Sequence, residues 1–385
     1  MSKNDKIFFY NLIGAGKNGK TLLGSLLDSH PSISSFPMEM KFVEHTINKS
    51  KNIKYKNFEN FLINESKLKF LNSKINKKRE NESQYIRDLK RLTIGNLEEI
   101  KFNKKKFLKI IKKNLNSSIK NSKNLREILI FFHKCLEEYL NKKFKKKIVI
   151  QDGLYGLRNI QKQISHFKHI KFIIMVRNPL DVLVISKRNN ANLKFFRRFT
   201  GEFTPVESLS IKEKSDNYNY NQVNNLYVQY RNNPNFLFVK YEDLIKKPNI
   251  KMKEIANFLN VKFYKSLMAT TVFGQPFNCS LKKNSDKKNF YTQEINQYKA
   301  NLNKTEIEFV KIKFQNFLEN FKYIKIKKKY SIILKFTNLI QIYFLNIFEL
   351  KQNLPKKNFL LKFLYFLIIL NNVFLIKNLI RIIKT

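Results

Sequence analysis

Ile7-Phe8-Phe9-Tyr10-Asn11-Leu12-Ile13 runs directly into Gly14-Ala15-Gly16-Lys17-Asn18-Gly19-Lys20-Thr21, and Leu22-Leu23-Gly24-Ser25-Leu26-Leu27 follows. A short, almost continuous apolar run that stops at glycines reads as a buried strand. Residues 21–27 carry apolar side chains at helical spacing. The segment between them satisfies the pattern GxxxxGK[ST]. Its glycines let backbone N–H groups converge on an anion, the following helix adds its positive end, and lysine neutralises phosphate. A plain strand-to-helix turn needs neither two lysines nor three glycines. The opening of the chain therefore predicts strand, phosphate loop and helix, and a ligand that bears phosphate.

Working outward, short apolar runs at 148–150, 170–176 and 236–239 read as further strands. Helical patterns at 157–167, 181–189 and 251–259 separate or follow them. Alternating strands and helices predict an α/β fold with a parallel sheet flanked by helices. Ligands in such sheets bind at the carboxyl ends of the strands. That directs attention to Gln151-Asp152-Gly153, Arg177-Asn178-Pro179 and Tyr241-Glu242-Asp243-Leu244, each just past a strand.

Residues 48–147 are rich in Lys and Asn, with apolar side chains at helical spacing, as at Phe58, Phe61 and Leu62 or Ile110, Ile111 and Leu115. They read as a helical insertion, a cap over the site, with 125–140 its best amphipathic helix. The domain reading is one domain over 1–330 containing this insertion, then a hydrophobic helical extension over 331–385. Within the extension, the longest span without charge lies between Lys362 and Lys377, and Asn371 and Asn372 interrupt it. A spanning helix needs about 20 apolar residues. Two readings stay open: helices that close the core, or an interfacial segment with lysines toward anionic headgroups. The second is favoured for 356–385. Residues 1–13 read as neither secretion signal nor anchor. The expected location is cytoplasmic, with peripheral contact on the inner face of the membrane.

The chain has 385 residues, with 75 Lys and Arg against 29 Asp and Glu, a formal net charge of +46. Apolar residues make up 43% and Phe alone numbers 36, enough to build a core and to exclude a disordered polybasic tail. The only cysteines, Cys135 and Cys279, exclude a disulfide scaffold and a cysteine-based zinc site. The charge invites a nucleic-acid reading. The lysines are spread along the chain rather than clustered, so most of the charge reads as compositional, and no specific nucleic-acid partner is expected.

Beyond the loop, Leu26-Leu27-Asp28-Ser29-His30-Pro31 is followed by Pro37-Met38-Glu39. Phe172–Val176 leads into Arg177-Asn178-Pro179-Leu180-Asp181, and Phe238-Val239-Lys240-Tyr241-Glu242-Asp243-Leu244 comes later, then Gly274-Gln275-Pro276-Phe277-Asn278-Cys279-Ser280. Together these resemble, in order and over about residues 7–323, the sulfotransferase family that uses 3′-phosphoadenosine 5′-phosphosulfate (PAPS). The resemblance implies a P-loop NTPase-like sulfotransferase fold. The chain departs from the family pattern at Asn18 and Lys20, where the family usually has Ser and Thr or Ser. It departs again at Gln151-Asp152-Gly153, where many members carry a lysine. Ser186 lies one residue beyond the family spacing from Arg177.

What the resemblance implies is transfer of a sulfuryl group from PAPS, as co-substrate and without a metal, to a hydroxyl or amine. Lys17 is the first choice to meet charge on the leaving phosphate oxygen, with Gly16, Asn18, Gly19, Lys20 and Thr21 in the cradle. Glu39 is the implied general base, with Glu44 and His45 as understudies. Arg177 and Ser186 are the implied 3′-phosphate ligands, and Asn278, Ser280 and Lys282 are expected to close over the nucleotide. Asp243 reads as a helix N-cap and His30 as a residue that locks a turn. The acceptor is expected to be a glycan, a glycolipid or a small molecule. The alternative is a P-loop kinase or NTPase using Mg-ATP, with Thr21 on the metal.

Overall fold

The computed structural model describes residues 6–39, 103–118, 125–167, 169–189, 216–276 and 295–324. In chain order the elements are β1 (Phe8–Gly14), α1 (Lys20–Leu27), β2 (Ile33–Glu39), α2 (Lys104–Ser118), α3 (Leu125–Tyr139) and β3 (Lys147–Gln151). Then come α4 (Leu154–Arg158), α5 (Ile160–His166), β4 (Ile170–Val176), α6 (Pro179–Asn189), α7 (Asp216–Tyr230) and β5 (Phe236–Lys240). The last are α8 (Tyr241–Lys246), α9 (Pro248–Phe258), β6 (Thr271–Val272), β7 (Gln275–Pro276), α10 (Tyr298–Asn301), α11 (Lys304–Lys313) and α12 (Gln315–Asn320). The chain forms two compact units: residues 1–176 with 230–292, and residues 177–229 with 293–385.

The first unit holds the sheet, ordered β2-β3-β1-β4-β5 with every pair parallel. β1 is central, and every residue of it after Phe8 is buried. That is the continuous apolar pattern of a strand covered on both faces. The strands read from the sequence at 148–150, 170–176 and 236–239 are β3, β4 and β5. β2 was not expected. Its sequence, ISSFPME, carries two serines and a proline in place of apolar alternation. Ser34 and Ser35 are nonetheless buried, and the Ser34 hydroxyl bonds the His133 Nδ1 at 2.9 Å. β2 is an edge strand, where Pro37 without an N–H is tolerated, and its register against β3 shifts between Ser35 and Glu39.

Among the described residues of the insertion, two helices form, α2 and α3. α3 buries Ile128, Leu129, Phe132 and Leu136, and Phe132 meets Phe36 of β2 edge-on at 5.3 Å. α2 buries Phe107 and Ile111 against α3 and exposes Lys105, Lys106, Lys109, Lys112 and Lys113. Residues 48–102 and the extension 331–385 lie outside the described residues. No helix among the described residues is long and apolar enough to cross a membrane.

Beneath α3 a polar cluster is enclosed. Lys145 Nζ donates to the carbonyls of His30 (3.2 Å) and Ile33 (2.9 Å) and stands 3.6 Å from Glu137. Complete burial, reinforced by the Lys145 charge, pushes the His133 pKa down to about 3. An unfolded histidine titrates near 6.5. Above that pH both states are neutral at this residue. Below it the unfolded chain takes up a proton that the fold refuses, so stability falls until about pH 3. Between pH 6 and 4 the wild type is expected to lose stability more steeply than His133→Asn, by about 1.4 kcal/mol per pH unit, in urea unfolding followed by circular dichroism.

In the second unit, Asn178 caps α6. Its Oδ1 accepts from Leu180 N–H at 3.0 Å, and Pro179 takes the first helical position. Asp181, one turn on, accepts from the backbone N–H groups of Asn296 (2.9 Å) and Tyr298 (3.2 Å). Burial raises its pKa, against the pull of those N–H groups and of Arg177. Tyr220 of α7 packs on Phe314 and Phe317, at 5.0 and 4.9 Å.

Candidate active site

The glycine loop leaves the carboxyl end of the central strand, where β1 pairs with β3 through Leu12–Gln151 and with β4 through Gly14–Met175. It enters α1 one residue earlier than the apolar spacing indicated, so Lys20 is the first helical residue. Gly19 precedes it in a left-handed conformation, φ 93° and ψ 11°. A side chain there would run into the ring of Tyr241, the first residue of α8. Lys17 also has a positive φ, 59°, and its side chain is exposed.

The two lysines of the loop thus differ sharply. Lys20 is 7% exposed. Its ammonium donates to the carbonyls of Gly14 (3.3 Å) and Asp152 (3.1 Å), which lie at the carboxyl ends of β1 and β3. Asn18 is buried too. Its amide donates to Met175 O at 2.6 Å and its Oδ1 accepts from Lys20 N–H at 3.4 Å, which pins the loop to the end of β4. Thr21 is half-buried on the first turn of α1.

Around the loop, the backbone of Glu39 ends β2 and pairs with Gln151 at the end of β3. Glu39 therefore stands two strands from β1 on the same end of the sheet, about 10 Å across at ordinary strand spacing. Gln151 is buried, donates to Phe36 O at 3.4 Å, and lies flat against Gly24, where any Cβ would overlap its amide. Asp152 is buried, and its Oδ1 accepts from Gly153 N–H at 2.9 Å.

Two residues of the Leu-Leu-Asp-Ser-His-Pro stretch have structural work. Asp28 accepts from Thr271 Oγ1 (2.9 Å) and Gly274 N–H (2.7 Å) and so holds the β6–β7 hairpin to the end of α1. Burial raises its pKa against those bonds and the charges of Lys142 and Lys145. His30 donates through Nε2 to Lys262 O (2.9 Å) and accepts Ser32 N–H at Nδ1 (3.1 Å). A carbonyl only accepts, so Nε2 carries the proton and the ring is neutral. Burial lowers its pKa in the same sense. His30 locks a turn, as expected. Asp243 is not an N-cap, because α8 begins at Tyr241 and Asp243 falls in its first turn.

Arg177 directly follows Val176, the last residue of β4, and is 4% exposed. The backbone of Ser186 lies within α6. Asn278, Ser280 and Lys282, together with Glu44 and His45, lie outside the described residues. The sequence reading gave no role to Tyr241 or Asp28. Each sits in a sequence motif, Tyr241 in Tyr-Glu-Asp-Leu and Asp28 in Leu-Leu-Asp-Ser-His-Pro, but only the fold shows what each touches. Among the described residues no cluster of His, Cys, Asp and Glu could hold a metal ion. A cleft of about 330 Å³ lined by Lys6, Phe8, Ile170, Tyr230 and Phe236 lies at the opposite, amino end of the strands and is no part of this site.

The model of the sulfotransferase family matches residues 11–265, from the central strand past α9. The chain belongs to the sulfotransferase family. Among solved structures, the sulfotransferase domain of the Synechococcus PCC 7002 olefin synthase is similar at 15% identity, covering 85% of this chain and 99% of that one, with a TM-score of 0.47. A sulfotransferase from Alicyclobacillus acidocaldarius is similar at 13% identity over 82% and 94% of the two chains, TM-score 0.37. Retinol dehydratase, solved with retinol and PAP, is similar at 12% identity over 85% and 84%, TM-score 0.34. No curated protein matches the sequence. The sulfotransferase is thus a transferase built on a five-stranded parallel sheet with its glycine loop on the central strand.

Proposed function

We propose that this sulfotransferase moves a sulfuryl group from PAPS to a hydroxyl or amine, with no metal in the reaction. The observation that carries the reading is the loop between β1 and α1, with a buried ammonium at the carboxyl ends of β1 and β3. PAPS supplies a sulfuryl group on a phosphate leaving group. In-line displacement forms a bond from the acceptor oxygen to sulfur and breaks the bond from sulfur to the bridging oxygen. That oxygen keeps the electron pair and becomes part of the nucleotide's 5′-phosphate. The loop lysines, Lys17 and Lys20, and the amino end of α1 meet this charge. The acceptor proton passes to Glu39, whose backbone ends β2 at the same end of the sheet as the loop. Arg177 is the proposed ligand of the 3′-phosphate, by bidentate hydrogen bonds, with Ser186 second.

The acceptor we take to be a glycan or glycolipid, met by the Lys-rich insertion. We assign 356–385 to peripheral contact on the inner membrane face. Unchanged transfer to a soluble neutral small molecule after deletion of 356–385 would count against that part.

The donor is tested by calorimetric titration with 3′-phosphoadenosine 5′-phosphate (PAP), in EDTA. Saturable binding is expected, and Arg177→Ala and Arg177→Lys are expected to weaken it, the first by at least about tenfold. Absence of PAP binding together with magnesium-dependent binding of ATP would overturn the reading in favour of a kinase.

A further inference from the structure

The cleft of about 330 Å³ opens where β1, β4 and β5 begin, at the end of the sheet away from the glycine loop. Its volume falls at the low end of small-molecule sites, ~300–1,000 Å³. β1 spans seven residues, which puts the cleft roughly 20 Å from the loop. Its wall is aromatic. Tyr230, the last residue of α7, stacks on Phe236 of β5, with ring centroids 4.1 Å apart and planes 5° from parallel. Phe236 in turn stacks on Phe172 of β4, at 5.0 Å and 20°. Phe172 and Phe236 are buried and Tyr230 is half-buried, so the stack ends toward solvent on the tyrosine ring. The Tyr230 hydroxyl accepts a hydrogen bond from the Gln161 amide, which restrains that ring.

The charged lining is of one sign. Lys6 and Lys171 line the cleft, His169 stands beside them, and no carboxylate does. Lys6 Nζ lies 5.5 Å from the centroid of the Phe8 ring, and Lys171 Nζ lies 5.1 Å from that of Phe258. Among the described residues neither ammonium is paired with a carboxylate. A ring face attracts a cation without neutralising it. We propose that this cleft is a second small-molecule site, separate from the catalytic end, and that its ligand is a planar aromatic monoanion. The ligand's ring extends the stack on Tyr230, and its anionic group lies toward Lys6 and Lys171. Two lysines suit one anionic group rather than a polyanion, and the volume suits a small molecule rather than a protein segment. The assignment does not rest on the donor reading.

The full chain is titrated calorimetrically with 2-naphthoate and with 2-naphthamide, its neutral counterpart of the same shape. 2-Naphthoate is expected to bind saturably, at least about fivefold more tightly than the amide. The double variant Lys6→Gln with Lys171→Gln is expected to abolish that preference and to leave the amide's affinity within about twofold. Tyr230→Leu is expected to weaken both compounds by about threefold or more without changing their ratio. Saturating PAP is expected to leave 2-naphthoate binding within about twofold, because the two sites are far apart. Thermal melting checks that each variant is folded, and the lysine variants decide the matter alone should Tyr230→Leu unfold. No saturable binding, equal affinity for the two compounds, or binding that the lysine variants leave unchanged overturns the proposal. Displacement of 2-naphthoate by PAP overturns it too, since the probe would then sit at the glycine loop. A wild type that binds 2-naphthoate as expected but not PAP sinks only the donor reading.

Discussion

Replacing Glu39 by glutamine is expected to slow sulfuryl transfer by about 10²–10⁴-fold, the usual contribution of a well-positioned general base. PAP affinity, read by calorimetry, is expected to stay within about threefold, since the carboxylate serves the transition state and the nucleotide does not need it. The size of the loss should depend on the acceptor. An acidic phenol is largely ionised without help, whereas an aliphatic alcohol gives up its proton only to a base. Rates with radiolabelled PAPS across hydroxyl acceptors of rising pKa are therefore expected to diverge between wild type and Glu39→Gln, with the greatest gap at the least acidic acceptor. A uniform loss across the series would reduce Glu39 to a positioning residue. An unchanged rate would remove it from the site.

The glycine loop, the strands beside it and the carboxyl-end location were legible because each rests on local chemistry. A phosphate loop needs particular glycines and lysines at fixed spacing, and buried parallel strands leave continuous apolar runs. β2 was not legible for the complementary reason. Its burial is satisfied by long-range partners, Ser34 on His133 and Phe36 on Phe132, which no window of sequence contains. The difference in surroundings between the two loop lysines was equally hidden. In the sequence Lys17 and Lys20 are both lysines of one motif. Helix α1 begins at Lys20 and turns its side chain beneath the loop, toward a carbonyl 132 positions away. Asn18 reads as part of an anion cradle, yet its amide ties the loop to Met175. Motif spacing identifies a site, and the tertiary partners decide which of its residues touch the ligand and which hold the others still.

Gly19→Ala is expected to weaken PAP binding by about 100-fold or more, equivalent to roughly one or two charge-assisted hydrogen bonds. Two separate effects act on this residue. An L side chain at φ 93° is strained by about 1–2 kcal/mol. The added Cβ also enters the space of the Tyr241 ring, which sits on α8 and is buried. Backbone strain alone would leave the loop open to binding at reduced stability. The collision instead drives the loop off its seat and turns the N–H groups that precede α1 away from their common focus. The double variant Gly19→Ala with Tyr241→Ala separates the two, because removing the ring relieves the collision and leaves the strain. It is expected to recover about tenfold of the lost affinity in the same titration. Recovery to the wild-type level would mean that the left-handed turn contributes nothing. Failure of Gly19→Ala to weaken PAP at all would mean that the anion is held away from this loop.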